Sequence, residues 1–308
     1  MSKNINMKKL FILVVILFLI LFVLSFNKNE ENIKNTKENM VKNNDEILYI
    51  DGSAAVYPIM ELTKKLVKAK YLKGNSIVSS NNTSIGMEKF IEGKIDICTA
   101  SRLINEKEMN LCKENKIMYE EYKIAYDGIV IIVNKNNKWI YEIEEEDLSL
   151  LWKNNSRIKK WTDVEEKFPN KKMIFYTKEK TSGIYECFKN QILNDNPIRS
   201  DINIVKDEKI IIEKIVNNKY AIGFLSYPQY SENKDDLRAI KIISENTIKG
   251  VSPTKETIKD DSYYNLKRPL YIYVNKESKR KSQMKAFLEY FFENEDKLVE
   301  LSGYIPVD

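Results

Sequence analysis

The chain has 308 residues and a formal net charge of +5; 43% of its residues are hydrophobic and 31% are charged. This composition is typical of a globular protein and excludes a wholly disordered chain or a protein with many membrane spans. The sequence contains no histidine, which excludes histidine-based catalysis and histidine metal sites. Much of the positive charge lies in the first 45 residues, so composition gives no support for nucleic-acid binding.

The N-terminal segment has the composition of a membrane helix. Residues 10–26 are apolar except for Ser25, and lysines precede the run. As a helix, the run spans about 25 Å, the short end of what a bilayer requires. The positive-inside rule then places the following chain outside the cytoplasm. We expect an uncleaved anchor, because no small residue for signal cleavage precedes Gly52 except serine; a cleaved signal is the alternative.

The next segment, residues 27–45, consists mainly of Asn, Lys and Glu. It holds too little apolar surface to fold, so we expect a disordered tether. This gives three parts: a signal or anchor helix at 1–26, the tether at 27–45, and a globular body at 46–308.

The body alternates short β-rich runs with helical patterns. Predicted strands lie at 47–50, 76–79, 95–99, 129–133, 173–176, 221–225, 239–243 and 270–274. Predicted helices lie at 57–70, 85–92, 106–115, 183–193, 207–217 and 283–292, with a last one ending at 301. This alternation predicts an α/β fold with βαβ units and parallel-rich sheets. A body of this length favours two lobes over one sheet.

Small and hydroxyl residues cluster at four predicted strand-to-helix junctions. The junctions are residues 51–58, 79–86, 99–102 and 178–183. In open α/β sheets, ligands bind beyond the carboxyl ends of the strands, where helix N-termini offer N–H groups and a positive dipole. If the junctions converge, they form an anion cradle that needs neither metal nor cofactor. Each junction alone is more often only a helix cap.

Enzymatic chemistry has little support in the sequence. It contains no phosphate-binding glycine loop and no nucleophile motif. The cysteines Cys98, Cys112 and Cys187 are odd in number and have no CxxC spacing, which argues against a disulfide framework or a zinc site. We expect them to be buried apolar side chains, and we expect no catalytic residues, metal or cofactor.

Several segments, in order along the chain, carry a resemblance to a known family. They are GSAAVYP at 52–58, NTSIGMEKF at 82–90, DICTASRLI at 96–104, AYDG at 125–128, RPLYIYV at 268–274 and GYIP at 303–306. From residue 47 to residue 306 the chain resembles the phosphate-binding extracytoplasmic component of ABC phosphate transporters. The resemblance implies a two-lobed periplasmic-binding-protein fold of type 2, with an interlobe cleft that closes on inorganic phosphate for delivery to an ABC permease.

The resemblance also implies where the lobes and the phosphate site lie. We expect lobe one at 46–133 and 252–308, and lobe two at 134–251. The expected site residues offer N–H groups, hydroxyls or charges: Val56, Tyr57, Thr83, Ser84, Arg102, Asp127, Lys178, Ser182 and Gly183. Asp127 would accept the proton that phosphate carries and sulfate lacks, with a turn cap as its alternative. A salt bridge is the alternative for Arg102.

Seven positions depart from the family pattern, three of them, Asn82, Ser84 and Ile85, by replacing glycines. Ala54, Ala55 and Ile184 replace hydroxyl residues, and Lys178 replaces a forked arginine with a point charge. A hydrogen bond to a charged ligand is worth about 1.5–3 kcal/mol, so losing several lowers affinity by decades. A second interpretation therefore stays open: a membrane-tethered accessory or sensor protein that kept the fold with weakened anion binding.

Overall fold

The structure, a computed structural model, describes residues 47–71, 75–245 and 247–308. The predicted anchor and tether lie outside these ranges. No helix within them is long and apolar enough to cross a membrane. The chain from Ile47 to Asp308 forms one unit by its internal contacts.

Eleven strands lie in the described part of the chain. They are β1 (Leu48–Gly52), β2 (Ser76–Val78), β3 (Ile97–Ala100), β4 (Tyr119–Asn134), β5 (Glu142–Glu144), β6 (Ile174–Lys178), β7 (Asn203–Val205), β8 (Ala221–Ser226), β9 (Leu237–Ala239), β10 (Lys241–Ile243) and β11 (Lys267–Asn275). Strand β4 is far longer than the predicted run at 129–133, because its first five residues are partly or fully exposed and hydrophobicity marks only its end. The run predicted at 239–243 is divided between β9 and β10, which pair with different strands.

Ten α-helices accompany these strands in the described ranges. They are α1 (Tyr57–Tyr71), α2 (Thr83–Ile91), α3 (Glu106–Glu114), α4 (Glu145–Trp152), α5 (Gly183–Leu193), α6 (Glu208–Val216), α7 (Tyr227–Glu232), α8 (Lys255–Lys259), α9 (Lys281–Glu293) and α10 (Glu295–Leu301). Periodicity did not predict α4, α7 and α8, because helices of eight, six and five residues are too short to show a repeating apolar face.

Nine of these strands form a mixed sheet in the order β2-β1-β3-β11-β4-β8-β6-β7, with β9 also paired to β4, and β5 and β10 form a separate parallel pair. We call β1–β3 together with α1–α3, α9 and α10 the first half of the body. We call β6–β8 together with α4–α7 the second half. Strands within each half are parallel, whereas β11 and β4 in the middle are antiparallel to their neighbours. The α/β class is confirmed, but the sheet is mixed, and the sequence pattern did not predict the antiparallel centre.

Separate apolar cores lie in the two halves. In the first half, Ile50, Val56 and Phe291 belong to one buried cluster. In the second half, the Trp152 ring packs edge-on against Phe188 with centroids 5.3 Å apart. Strand β4 contributes to both halves, since it pairs with β11 along its beginning and with β8 along its end. Strands β4 and β11 thus join the two halves. The exact bounds of the lobes stay a prediction.

The three cysteines are free thiols. Cys98 and Cys112 are buried as expected, whereas the Cys187 residue is partly exposed. Desolvation nevertheless raises the pKa of Cys112 to about 11 and that of Cys187 to about 12. The thiols are therefore protonated near neutral pH, and the described residues contain no cluster that could hold a metal ion.

Candidate anion-binding site

A cleft of about 270 Å³ lies between the two halves of the body. The first half contributes side chains that follow β1, β2 and β3: Ser53, Ala54, Ala55, Ser80, Asn81, Asn82, Thr83 and Ser101. The second half contributes Lys178, Glu179, Thr181, Ser182, Gly183, Ile184, Lys206, Glu208 and Ser226, and Arg268 and Tyr304 complete the lining. The carboxyl ends of parallel strands meet here, so the structure brings the four junctions together.

The first-half wall is organised around Thr83, the first residue of α2. Its hydroxyl accepts a hydrogen bond from the Ser101 N–H at 3.1 Å and lies 3.3 Å from the Ser101 hydroxyl. Beneath them, the buried carboxylate of Asp51 accepts from the Asn81 side-chain amide at 2.8 Å and pairs with Lys89. These bonds fix two loops against each other and present a cluster of hydroxyls to the cleft.

The second-half wall is the N-terminus of α5. The Ser182 hydroxyl caps this helix by accepting from the Tyr185 N–H at 3.4 Å. Gly183 follows, and a Cβ atom at this position would lie only 2.4 Å from the Ser101 Oγ. Any larger residue there would require the Ser101 hydroxyl to move, so the two halves are in contact at one edge of the cleft. The unpaired N–H groups of the first helical turn add a positive dipole.

Arg268, in β11, is a cation of the cleft that sequence reasoning missed. The residue is 3% exposed, and one of its amino groups pairs with the Asp127 carboxylate. Its Nε is buried and has no hydrogen-bond partner among the described residues. Burial disfavours the charge, but Asp127 outweighs this and the pKa of Arg268 lies above its ordinary value. The signal for this residue was the RPLYIYV segment, which supported the resemblance without being assigned to the site.

Glu208, at the start of α6, is the second residue that sequence reasoning missed. Its carboxylate accepts from the Ser226 N–H at 2.6 Å and from the Ser226 hydroxyl at 3.2 Å. Burial raises the pKa of Glu208, although the Ser226 hydrogen bond and the charge of Lys178 act in the opposite direction. An acidic residue at a helix start is usually only a favourable partner of the dipole, so no local pattern distinguishes this glutamate as a site residue.

Of the nine expected site residues, the structure places four in the cleft lining: Thr83, Lys178, Ser182 and Gly183. Val56 and Tyr57 do not line it, which corrects the expectation that their N–H groups face the ligand. Both N–H groups instead donate to the Ser53 carbonyl oxygen, at 3.1 and 3.2 Å. These two bonds belong to the turn that leads into α1, so neither N–H group is free to bind a ligand.

Ser84 and Arg102 also lie outside the cleft lining. The guanidinium of Arg102 is held by the Glu108 carboxylate through two bonds of 2.8 and 2.9 Å, and it donates to the Ser84 hydroxyl at 3.2 Å. The pKa of Arg102 is raised, chiefly by its hydrogen bond to Glu108. Arg102 therefore forms a salt bridge, which was the alternative for this residue, and the guanidinium does not face the cleft.

Asp127 is fully buried and does not reach the cleft. One oxygen accepts from the Gly128 N–H at 2.8 Å and from the Tyr227 N–H at 3.0 Å, and the other pairs with Arg268. The expectation that it meets the ligand directly is therefore wrong. Asp127 instead caps the turn before Gly128, which was the alternative for this residue. It also orients the Arg268 side chain.

Known proteins similar to this chain in sequence and in fold identify its family. The model of the PBP superfamily domain matches residues 38–295. The phosphate-binding protein PstS of Staphylococcus aureus is 35% identical over 256 residues, which cover 83% of this chain and 76% of that protein. The structure of PstS from Borrelia burgdorferi has 25% identity and a TM-score of 0.60, covering 86% of this chain and 100% of that one.

A second solved structure supports the fold alone. The ABC-type phosphate transport receptor from Vibrio cholerae has a TM-score of 0.68 at 22% identity, covering 84% of this chain and 99% of that one. The match in fold therefore extends over nearly all of the body. The chain belongs to the PBP superfamily and, within it, to the family of the phosphate-binding protein PstS.

Proposed function

We propose that this protein binds inorganic phosphate in the cleft and delivers it to an ABC permease. The observation that carries the proposal is the pairing of Lys178 and Arg268 with a hydroxyl-rich helix N-terminus in one cleft. A relative supports it, since the 35% identical Staphylococcus aureus protein is named for phosphate binding. Cations and free N–H groups at a helix N-terminus are the general means of holding phosphate.

We assign five residues to phosphate oxygens. Lys178 and Arg268 supply charge, the hydroxyls of Thr83 and Ser101 supply hydrogen bonds, and Gly183 supplies an N–H. The Ser182 hydroxyl donates to the Glu179 carbonyl oxygen at 2.7 Å, so its part is to cap the helix that presents the Gly183 N–H. The Arg268 fork, held by Asp127, is preorganised, whereas the Lys178 ammonium is a mobile point charge. Arg268 thus supplies a second, fixed cation beside the flexible Lys178.

Glu208 is the carboxylate we propose for selecting phosphate. It lines the cleft with both cations, and burial raises its pKa. Near neutral pH, phosphate carries a proton that a carboxylate oxygen can accept, and sulfate has none to donate. Charged Glu208 therefore favours phosphate and repels sulfate.

Calorimetric titration of the protein with phosphate and with sulfate tests the proposal. Wild-type protein should bind phosphate in preference to sulfate. Lys178→Ala should weaken phosphate binding by about 1.5–3 kcal/mol, roughly 10- to 150-fold, since a charged hydrogen bond is lost.

Lys180→Ala is the matched control for that variant, because Lys180 belongs to the same loop, is exposed and does not line the cleft. It should leave affinity unchanged. Equal losses in both variants would contradict the assignment of Lys178 to the ligand.

A tethered accessory or sensor protein is the second candidate function. The observation that favours it is that Ala54, Ala55 and Ile184, the positions without the expected hydroxyls, all line the cleft. If the wild-type protein shows no heat with millimolar phosphate while its melting curve is cooperative, this second function replaces the first.

We further propose that the body lies outside the cytoplasm and is tethered to the membrane by residues 1–26. The support is the apolar run with lysines before it. Cleavage of this segment, giving a secreted or periplasmic protein, is the alternative. No part of the proposal requires a nucleic acid, a metal or a cofactor.

A further inference from the structure

Arg102 lies in the loop after β3, beside the cleft and not in it. Four hydrogen bonds to the first half hold its guanidinium. Two go to the Glu108 carboxylate at 2.8 and 2.9 Å, one to the Ser84 hydroxyl at 3.2 Å and one to the Leu103 carbonyl oxygen at 3.1 Å. The two terminal nitrogens are therefore occupied, and the side chain is fixed in one orientation.

The remaining nitrogen faces the other half of the body. Nε of Arg102 lies 3.9 Å from a carboxylate oxygen of Glu186, which belongs to α5. The same helix brings Ser182 and Gly183 to the cleft, and the residue before Arg102, Ser101, makes the close approach to Gly183. Two adjacent residues of the first half thus contact the first two turns of one helix in the second half.

We propose that Arg102 and Glu186 form an ionic latch across the rim of the cleft, which holds the halves together and slows release of the bound anion without touching it. Because Arg102 is already held by its own half, little side-chain entropy is lost when the halves meet. The identity of the anion rests on the proposed function, but the latch itself does not.

The expected size of the effect follows from the exposure of the pair. The Arg102 side chain is 24% exposed and that of Glu186 is 43% exposed, so solvent screens their attraction. Exposed ion pairs of this kind change an equilibrium by about 1.5- to 5-fold. Since the contact forms only on closing, the change should appear in the dissociation rate rather than in the association rate.

The test measures release of radiolabelled inorganic phosphate from the full-length protein after rapid mixing with excess unlabelled phosphate. Glu186→Gln should raise the dissociation rate by about 1.5- to 5-fold. Glu186→Lys, which places a second cation near Arg102, should raise it further. Glu186→Gln should change the association rate much less than the dissociation rate, and thermal unfolding of both variants measures any loss of helix stability.

Glu213→Gln is the matched control, because Glu213 is also an exposed, ion-paired glutamate of the second half and pairs with Lys214. It should release phosphate at the wild-type rate. In an Arg102→Gln background, the Glu186→Gln change should have no further effect, which a purely local role of Glu186 would not produce. Added salt should speed release from the wild type more than from Glu186→Gln.

Equal release rates for wild type, Glu186→Gln and Glu186→Lys would overturn the latch. If the wild type binds no phosphate, the proposed function fails separately, and small-angle scattering of the ligand-free protein decides on the latch. Glu186→Lys should then have a larger radius of gyration than wild type and Glu213→Gln. An unchanged radius would overturn the latch in that case.

Discussion

At the scale of single residues, the Arg268–Asp127 pair shows how a buried charge becomes useful. Asp127 satisfies two backbone N–H groups and one amino group of Arg268, and it leaves the Arg268 Nε without a partner in the described chain. A cation of this kind costs desolvation energy unless it is paired. Asp127 offsets that cost and fixes the orientation of the guanidinium, so the two residues act as one unit.

The raised pKa of Glu208 predicts how the stability of the folded protein depends on pH. Burial raises its pKa, so the charged form is disfavoured in the folded protein. At acid pH, below the ordinary pKa of glutamate, the group is neutral in both states and costs nothing. As the pH rises through the folded-state pKa, the folded protein holds a proton that the unfolded chain has released, and stability is lost.

Glu208→Gln should therefore be as stable as wild type at acid pH and more stable at neutral pH. Urea unfolding without phosphate, at pH 4 and at pH 7.5, measures the difference. Glutamine retains an acceptor for the Ser226 N–H, so the comparison isolates the charge. A variant that is less stable than wild type at neutral pH would show that Lys178 and Arg268 stabilise the carboxylate more than burial penalises it.

At the scale of elements, helix α5 determines how closely the halves approach. A Cβ atom at Gly183 would lie 2.4 Å from the Ser101 Oγ, well inside contact distance. Gly183→Ala should therefore hold the cleft open and weaken phosphate binding at least tenfold, with little loss of stability because alanine favours helix. Calorimetry and thermal unfolding of the variant measure the two effects.

The Ser101→Ala change provides the control for this prediction. It removes the atom that clashes and leaves the Ser101 Cβ, 3.5 Å from the added atom, as an ordinary contact. Because Ser101 is also assigned to a phosphate oxygen, the double variant is compared with Ser101→Ala alone, and Gly183→Ala should weaken phosphate binding less in that background than in wild type. An equal loss in both backgrounds would mean that the alanine acts through some contact other than the Ser101 hydroxyl.

At the scale of the whole molecule, two strands join the halves and one segment precedes them. Strands β4 and β11 run side by side from Tyr119 to Gly128, with a register shift between Leu270 and Tyr271. Such an irregularity marks a place where the ladder is locally weakened. Bending of the body, where it occurs, should therefore concentrate in this pair of strands.

The apolar N-terminal segment predicts that the full-length protein is associated with the membrane. Wild-type protein should sediment with membranes, and mass spectrometry should detect a peptide from residues 1–26. A variant lacking residues 1–26 should remain in the supernatant and bind phosphate with unchanged affinity, because the cleft lies in residues 53–304. A mature N-terminus near residue 26 would show that the segment is a cleaved signal.

Patterns along the chain are enough to predict the class of fold and the junctions from which the cleft is built. Alternating strand and helix patterns predicted the α/β body, and small residues after strands marked four junctions that would form an anion cradle if they converged. Those features are local, since a cap such as Ser182 or a close approach such as Gly183 requires a particular residue at that position. The resemblance carried by these segments assigned nine residues to the site, and the four that line the cleft are Thr83, Lys178, Ser182 and Gly183.

Only the tertiary structure decided which charges face the cleft. Arg102 and Arg268 are both arginines next to predicted strands, yet Glu108 holds one at the rim and Asp127 aims the other inward. Asp127 precedes a predicted strand and Glu208 begins a helix, yet burial separates the first from the cleft and the second lines it. The direction of a long side chain depends on partners distant in sequence, 141 positions away for Arg268 and Asp127, and no local pattern contains that information.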